Sequence, residues 1–318
     1  MLGAFIEGLG APEDIHYGEI PDPEPEYGQV RVAVAATTVN PVDVLIRSGA
    51  LRTELTFPFV VGRDAVGTVD AVGDGVSGFT VGERVWTNSM GHDGRPGTAA
   101  ELVVVPVERL YHLPDGVGNE AVTVLHPGAT AAMGLLVHGQ ARAGETVLVV
   151  GGAGNVGSAA VTIAASTGAH VIAVASADDA TYCESIGAER VIGPDELADA
   201  DLPPIDVWLD AAGVNDIPRA LGALAQGGRI LILAGLDTHS TLATGELYAK
   251  DASIIGFTMS HATTAQLSAA SLTVNTLMAD GVLASRRIER MPLSETAQAH
   301  RMLQDGRLVG ARVLLAVH

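Results

Sequence analysis

Cysteine is nearly absent. Cys183 is the only one in 318 residues, so no intramolecular disulfide can form and no cysteine-rich zinc site can be built. Lysine is equally scarce: Lys250 stands alone, which leaves a Schiff-base mechanism a single candidate. Basic residues number 18 against 37 acidic ones, a formal charge of −19. Nucleic acid and anionic membranes both recruit clustered positive charge, so neither is an expected partner. The start, Met1-Leu2-Gly3-Ala4-Phe5-Ile6-Glu7, lacks a basic leader and a long apolar run, and a cytoplasmic location is expected. Aromatics are only 4% while glycines reach 38, a balance that suits α/β folds with many tight strand–helix turns.

One segment lacks charge altogether. Residues 146–177 carry no Asp, Glu, Lys or Arg, and the length alone would allow a membrane span. Gly151, Gly152, Gly154, Asn155, Gly157, Ser166, Thr167, Gly168 and His170 interrupt it. Two strands around a buried helix account for it better.

The chain is long enough for two domains. The first third reads as short strands: residues 29–34 alternate, 65–73 end in glycine, and 84–86 and 100–106 follow. Residues 120–138 read as a helix. From Glu145 onward, apolar strands (146–150, 170–175, 191–192, 207–210, 229–234) alternate with helices (157–167, 179–186, 217–225). That alternation predicts βαβ units and a parallel sheet. Helices at 264–280 and 294–304 and a strand at 311–316 close the chain. The expected division is a β-rich domain of residues 1–118 and 259–318 around an α/β domain of residues 119–258.

The sharpest motif is Val147-Leu148-Val149-Val150-Gly151-Gly152-Ala153-Gly154-Asn155-Val156-Gly157, an apolar strand running into G-x-G-x-x-G. Gly152 allows the tight turn, Gly154 lets backbone approach a pyrophosphate, and Gly157 lets helix pack on strand. The helix start, with Asn155 and Val156, offers N–H groups to the anion. Strand, helix and next strand are all in place, so a dinucleotide site is expected.

Further segments resemble the medium-chain dehydrogenase/reductase superfamily, in its zinc-free quinone oxidoreductase-like branch. They are Val39-Asn40-Pro41-Val42-Asp43, Val61-Gly62-Arg63-Asp64-Ala65, His126-Pro127-Gly128-Ala129-Thr130-Ala131, Asp210-Ala211-Ala212-Gly213, Ala234-Gly235-Leu236 and Gly310-Ala311-Arg312-Val313. The resemblance implies a GroES-like catalytic domain, a Rossmann coenzyme domain with a doubly wound parallel sheet, and an active site in the cleft between them. It also implies Thr130 beside the nicotinamide, Ala212, Gly213, Ala234, Gly235 and Leu236 along the coenzyme, and a homodimer.

Where zinc-dependent members of the superfamily place Cys, His and Cys on the catalytic metal, this chain has Asn40, Arg63 and His126. Arginine has no lone pair to give, so no zinc is expected. The resemblance then implies hydride transfer from a nicotinamide to a small-molecule quinone or α,β-unsaturated carbonyl (enone). Asn40, Arg63 and His126 are the candidate donors to the developing oxyanion. Arg63 has a structural alternative as an ion-pair partner of Asp43 or Asp64. Two other functions stay open: a free-standing enoyl reductase on thioester-linked chains, and a non-catalytic NADPH-binding redox sensor. The cofactor expected is NADPH, with NADH possible. Ala175 occupies the usual place of the ribose-binding acid and leaves room for a 2′-phosphate, to which Ser176 can donate, although Asp178 and Asp179 follow.

Overall fold

Alternating valines make the first hundred residues a sheet. The structure, a computed structural model, describes residues 1–317. β1 (Leu2–Ile6) pairs antiparallel with β2 (His16–Glu19). β3 (Gln29–Thr37) buries Val30, Val32 and Val34 on one side, as the two-residue period of a strand dictates. Helix α1 (Pro41–Ser48) begins with proline at its first position, where no N–H is needed. β4 (Phe59–Val60), β5 (Ala65–Val72), β6 (Arg84–Thr87), β7 (Leu102–Pro106) and β8 (Leu110–His112) follow, then helix α2 (Val122–Ala132). β3, β5, β6, β7 and β8 form antiparallel ladders over a core that includes Val69, Val85, Val103 and Val105. Each fully buried valine contributes about 1.5–3 kcal/mol of transfer free energy.

The second unit is a parallel sheet. β9 (Thr146–Val150), α3 (Asn155–Ser166), β10 (His170–Val174), α4 (Ala180–Ser185), β11 (Arg190–Ile192), β12 (Ile205–Asp210), α5 (Ile217–Ala223), β13 (Leu224–Ile232), α6 (Thr244–Ala249) and β14 (Ser253–Gly256) come in that order. The strands lie side by side as β11-β10-β9-β12-β13-β14, all pairs parallel. The chain steps outward from β9 in both directions, so the order reverses between β9 and β12. Ligands of such sheets bind beyond the strand carboxyl ends at that reversal. The charge-free stretch of residues 146–177 is β9, α3 and β10, as its glycines predicted. The chain closes with α7 (Thr264–Ala279), β15 (Ile288–Pro292), α8 (Thr296–Gln304) and β16 (Arg312–Ala316), and the last strand pairs with β3. The fold is thus α/β with a GroES-like unit and a Rossmann-like unit.

The two compact units comprise residues 1–126 with 275–318, and residues 127–274. The sequence alone places these divisions at 118/119 and 258/259. The difference has a local cause at each end. Thr123 O accepts from Arg312 Nε at 3.0 Å, which ties the start of α2 to the first unit. Asn275 Oδ1 accepts from Trp86 Nε1 at 2.8 Å, which does the same for the end of α7. The helix read over residues 217–225 ends at Ala223, because Lys250 Nζ donates to the carbonyls of Leu221, Gly222 and Leu224 and closes α5 early. The lone lysine is therefore spent on a helix end. Strands β1, β2, β4, β8, β14 and β15 are too short or irregular to be read from alternation alone. Asn119–His138 is long and apolar enough to cross a membrane by length and composition, but most of it is buried in the protein.

Candidate functional site

In the second unit the glycine motif forms a bare backbone cradle. Gly151 N and Gly152 N both donate to Val174 O, at 3.0 and 2.9 Å, which folds the turn after β9 against the end of β10. A Cβ on Gly157 would lie 1.9 Å from Gly151 O, so only glycine permits α3 to start there. A Cβ on Gly154 would meet only Gly151 O, at 3.2 Å, and Gly154 is exposed. That residue closes no packing gap; it leaves backbone open beside the N-terminus of α3, where Asn155 and Val156 begin the helix. The cradle fits a pyrophosphate.

The other residues singled out for the cofactor follow the carboxyl ends of neighbouring strands. Ala212 and Gly213 follow β12, and Ala234, Gly235 and Leu236 follow β13. One carboxylate organises the first of these turns: Asp210 Oδ1 accepts from Ala212 N and Gly213 N, and Oδ2 from Asn215 N, at 2.9, 2.7 and 2.6 Å. Asn215 Nδ2 then donates to Ala234 O at 3.0 Å, and Thr238 Oγ1 to Gly213 O at 2.9 Å, locking the two turns together. Asp210 stands in the sequence only as part of a family-like segment with no role assigned to it, and Asn215 carries no sequence signal, although an acid at the end of an apolar strand is a visible one. Leu236 is 72% exposed. Thr130, on α2, places Oγ1 3.6 Å from Met259 Sδ. Ser176 is exposed after β10, and its Oγ donates to Asp179 Oδ2 at 2.8 Å. Ala175 is buried.

In the first unit Asn40, Arg63 and His126 meet in one buried polar network, joined by four residues outside the expected set: Asp43, Asp64, Ser89 and Arg312. Asp43 caps α1, accepting from Asn40 N at 2.7 Å. Asn40 Nδ2 donates to Asp64 Oδ2 at 2.7 Å and to Asp43 Oδ2 at 3.3 Å. Asn40 Oδ1 accepts from Arg312 Nη2 at 2.6 Å. Arg63, fully buried, donates from Nη2 to Ser89 Oγ at 3.1 Å. His126 Nδ1 lies 3.9 Å from Asp64 Oδ1. The Asn40 amide is thus hydrogen-bonded through both its nitrogen and its oxygen within the network. His126, with 15% of its side chain exposed, is the most accessible member.

Burial governs the electrostatics. It is the largest influence on Asp64, whose carboxyl is pushed up to about 7, with the neighbouring charge of Asp43 adding to the rise. Burial likewise raises Asp43 to about 6 against the pull of Arg63 and the Asn40 hydrogen bonds. His126 is held well below its ordinary value, first by burial and then by Arg63 and Arg312, so it is a neutral imidazole at pH 7. Burial also lowers Arg63, opposed by Asp43 and Asp64. The donor set does not fit a catalytic zinc, since an amide, a guanidinium and one imidazole supply too few lone pairs.

Two family models match the chain: the alcohol dehydrogenase GroES-like domain over residues 26–115 and the zinc-binding dehydrogenase over residues 155–273. A quinone oxidoreductase of Lama guanicoe is 30% identical, with 99% of this chain and 97% of that protein covered. An acryloyl-coenzyme A reductase of Metallosphaera sedula is 30% identical, over 93% and 95%. Among solved structures, an NAD-dependent alcohol dehydrogenase superimposes with a TM-score of 0.87 at 30% identity, covering all of both chains. A mycobacterial protein complexed with NADPH gives 0.83 at 25% identity, over 99% and 100%.

Proposed function

Since the chain belongs to the medium-chain dehydrogenase/reductase superfamily, in its quinone oxidoreductase-like branch, we propose that this oxidoreductase is a zinc-independent, NADPH-dependent reductase of quinones or enones. The observation that carries the reading is Arg63. A guanidinium stands in the segment where zinc-dependent members place a metal ligand, buried against Asp43 and Asp64, so carbonyl polarisation falls to hydrogen-bond donors instead.

A bound nicotinamide supplies the hydride. The chain's own residues do the rest. Gly152, Gly154 and Gly157 and the first N–H groups of α3 hold the pyrophosphate. Thr130 and the paired turns after β12 and β13 orient the nicotinamide end. Asn40, Arg63 and Arg312 position the two carboxylates. Asp64, poised near neutrality, holds a proton 3.9 Å from His126, and this pair is the reservoir for the proton that reduction of the quinone or enone consumes after hydride addition.

The test is oxidation of NADPH and NADH against quinones, enones, enoyl thioesters and saturated ketones in parallel. Fastest turnover on quinones or enones is expected. Turnover confined to saturated ketones would reject the proposal. The acryloyl-coenzyme A reductase relative favours a second reading, an enoyl-thioester reductase, and preference for thioesters in the same panel would select it.

A further inference from the structure

Three carboxyl side chains are buried among the described residues: Asp43, Asp64 and Asp210. The first two lie in the field of Arg63 and Arg312. Asp210, 2% exposed at the carboxyl end of β12, has no such neighbour. Register sets it between Val150 of β9 and Ile232 of β13, and no ion pair among the described residues includes it. Its two oxygens accept from Ala212 N, Gly213 N and Asn215 N. The carboxylate is therefore hydrogen-bonded but not charge-balanced. A buried charge in that state is costly unless a cation comes to meet it, and here the cation must arrive with a ligand.

Where that cation stands follows from the topology of the second unit. The pyrophosphate cradle follows β9, and the usual place of the ribose acid follows β10. The adenosine half of a dinucleotide then lies on the β10 side of the reversal, and the other nucleotide falls across the ends of β12 and β13. Asp210 shapes that end. A Cβ on Gly213 would lie 2.8 Å from Gly235 N, and one on Gly235 would lie 2.7 Å from Gly213 O. Both glycines are left-handed, at φ 78° and 87°, so no side chain separates the two turns.

The nicotinamide ring is neutral when reduced. It carries one positive charge once it has given a hydride, a proton with two electrons, to the acceptor. Resting on the reductase reading above, we infer that Asp210 is the counter-charge for the oxidised ring, a positioning residue that stabilises the product form of the cofactor and so strengthens the bound reduced form as a hydride donor. Its field acts through buried protein, where it is screened far less than in water.

The test needs no acceptor. Dissociation constants of NADPH and NADP⁺ are measured by calorimetric titration, at one ionic strength, for wild type, Asp210→Asn and Asn215→Gly. Asn215→Gly removes the bond to Ala234 O and suits the left-handed backbone at φ 52°, with no change of charge. In Asp210→Asn the ratio of the NADP⁺ constant to the NADPH constant is expected to rise about tenfold, which lifts the potential of the bound two-electron couple by about 30 mV. In Asn215→Gly both constants should rise together and leave the ratio in place. Asp210→Ser, neutral and small enough to admit water to the three N–H groups, repeats the test should the first variant fold poorly by circular dichroism. A ratio unmoved in a folded neutral variant, or moved as far in Asn215→Gly, overturns the inference. The wild type alone also tests it: NADP⁺ should bind at least as tightly as NADPH, and a tenfold preference for NADPH overturns it without any variant. Binding with an unmoved ratio rejects the role of Asp210 alone, whereas no binding of either dinucleotide rejects the cofactor reading beneath it.

Discussion

Arg312 Nη2 donates to Asn40 Oδ1 at 2.6 Å, joining residues 272 positions apart. Through that bond the start of β16 anchors the buried amide, and the amide in turn holds Asp64 and Asp43. Arg312 is 3% exposed, and its Nε is satisfied by Thr123 O. Arg312→Met would remove the cation and leave Asp43 and Asp64 facing Arg63 alone. A loss of about 3–5 kcal/mol is expected, readable in urea denaturation. A variant within about 1 kcal/mol of wild type, no more than a surface ion pair is worth, would show the bond to be dispensable.

The buried carboxyl of Asp64 sets a pH dependence with a definite sign. Its folded pKa, about 7, lies above the reference 3.8. Between those values the folded state binds a proton that the unfolded chain has released, so this group's stabilisation is fullest below 3.8 and is lost as pH rises through about 7. His126, lowered in the folded state, acts in the opposite direction below its ordinary pKa. The comparison that isolates Asp64 is wild type against Asp64→Asn, whose side chain stays neutral. From pH 4 to 8 the variant should gain stability relative to wild type. A flat or opposite slope in thermal unfolding would contradict the raised pKa.

The glycines of the cradle should separate by role. Gly157→Ala places a Cβ 1.9 Å from Gly151 O and is expected to cost about 1–3 kcal/mol of stability through a forced backbone shift. Gly154→Ala leaves the fold intact, because its nearest neighbour is 3.2 Å away, yet should weaken nicotinamide dinucleotide binding about tenfold by crowding the pyrophosphate. Fluorescence titration beside thermal unfolding reads both. Equal effects of the two substitutions on stability would refute the division.

Cofactor choice turns on Ala175, Ser176 and the two acids that follow. NADPH is expected to bind more tightly than NADH. Asp178→Asn should tighten NADPH severalfold by removing a like charge while leaving NADH almost unaltered. Weaker NADH binding in that variant would instead make Asp178 a ribose ligand and reverse the preference.

Elemental analysis of the purified protein is expected to find no stoichiometric zinc, with chelators leaving activity unchanged. Arg63 cannot ligate and Cys183, the only cysteine, is buried in the second unit. One equivalent of zinc lost together with activity would defeat this expectation.

The sequence by itself determined the order of strands and helices from β9 to β13, because apolar period and glycine punctuation are local signals, whereas α6, β14 and β15 carry no such signal. It also determined the dinucleotide cradle, whose chemistry sits in eleven consecutive residues, 147–157. It named Asn40, Arg63 and His126 as neighbours only through family resemblance. Tertiary structure alone decided which partners those residues meet. The Asn40 amide is consumed by Asp64 and Asp43, Arg312 arrives from the far end of the chain, and Asp210 ties two turns that no spacing rule links. A hydrogen-bond partner from another strand leaves no mark on sequence period. A shifted pKa is equally invisible there, since burial is a property of everything packed around the group and not of the group itself.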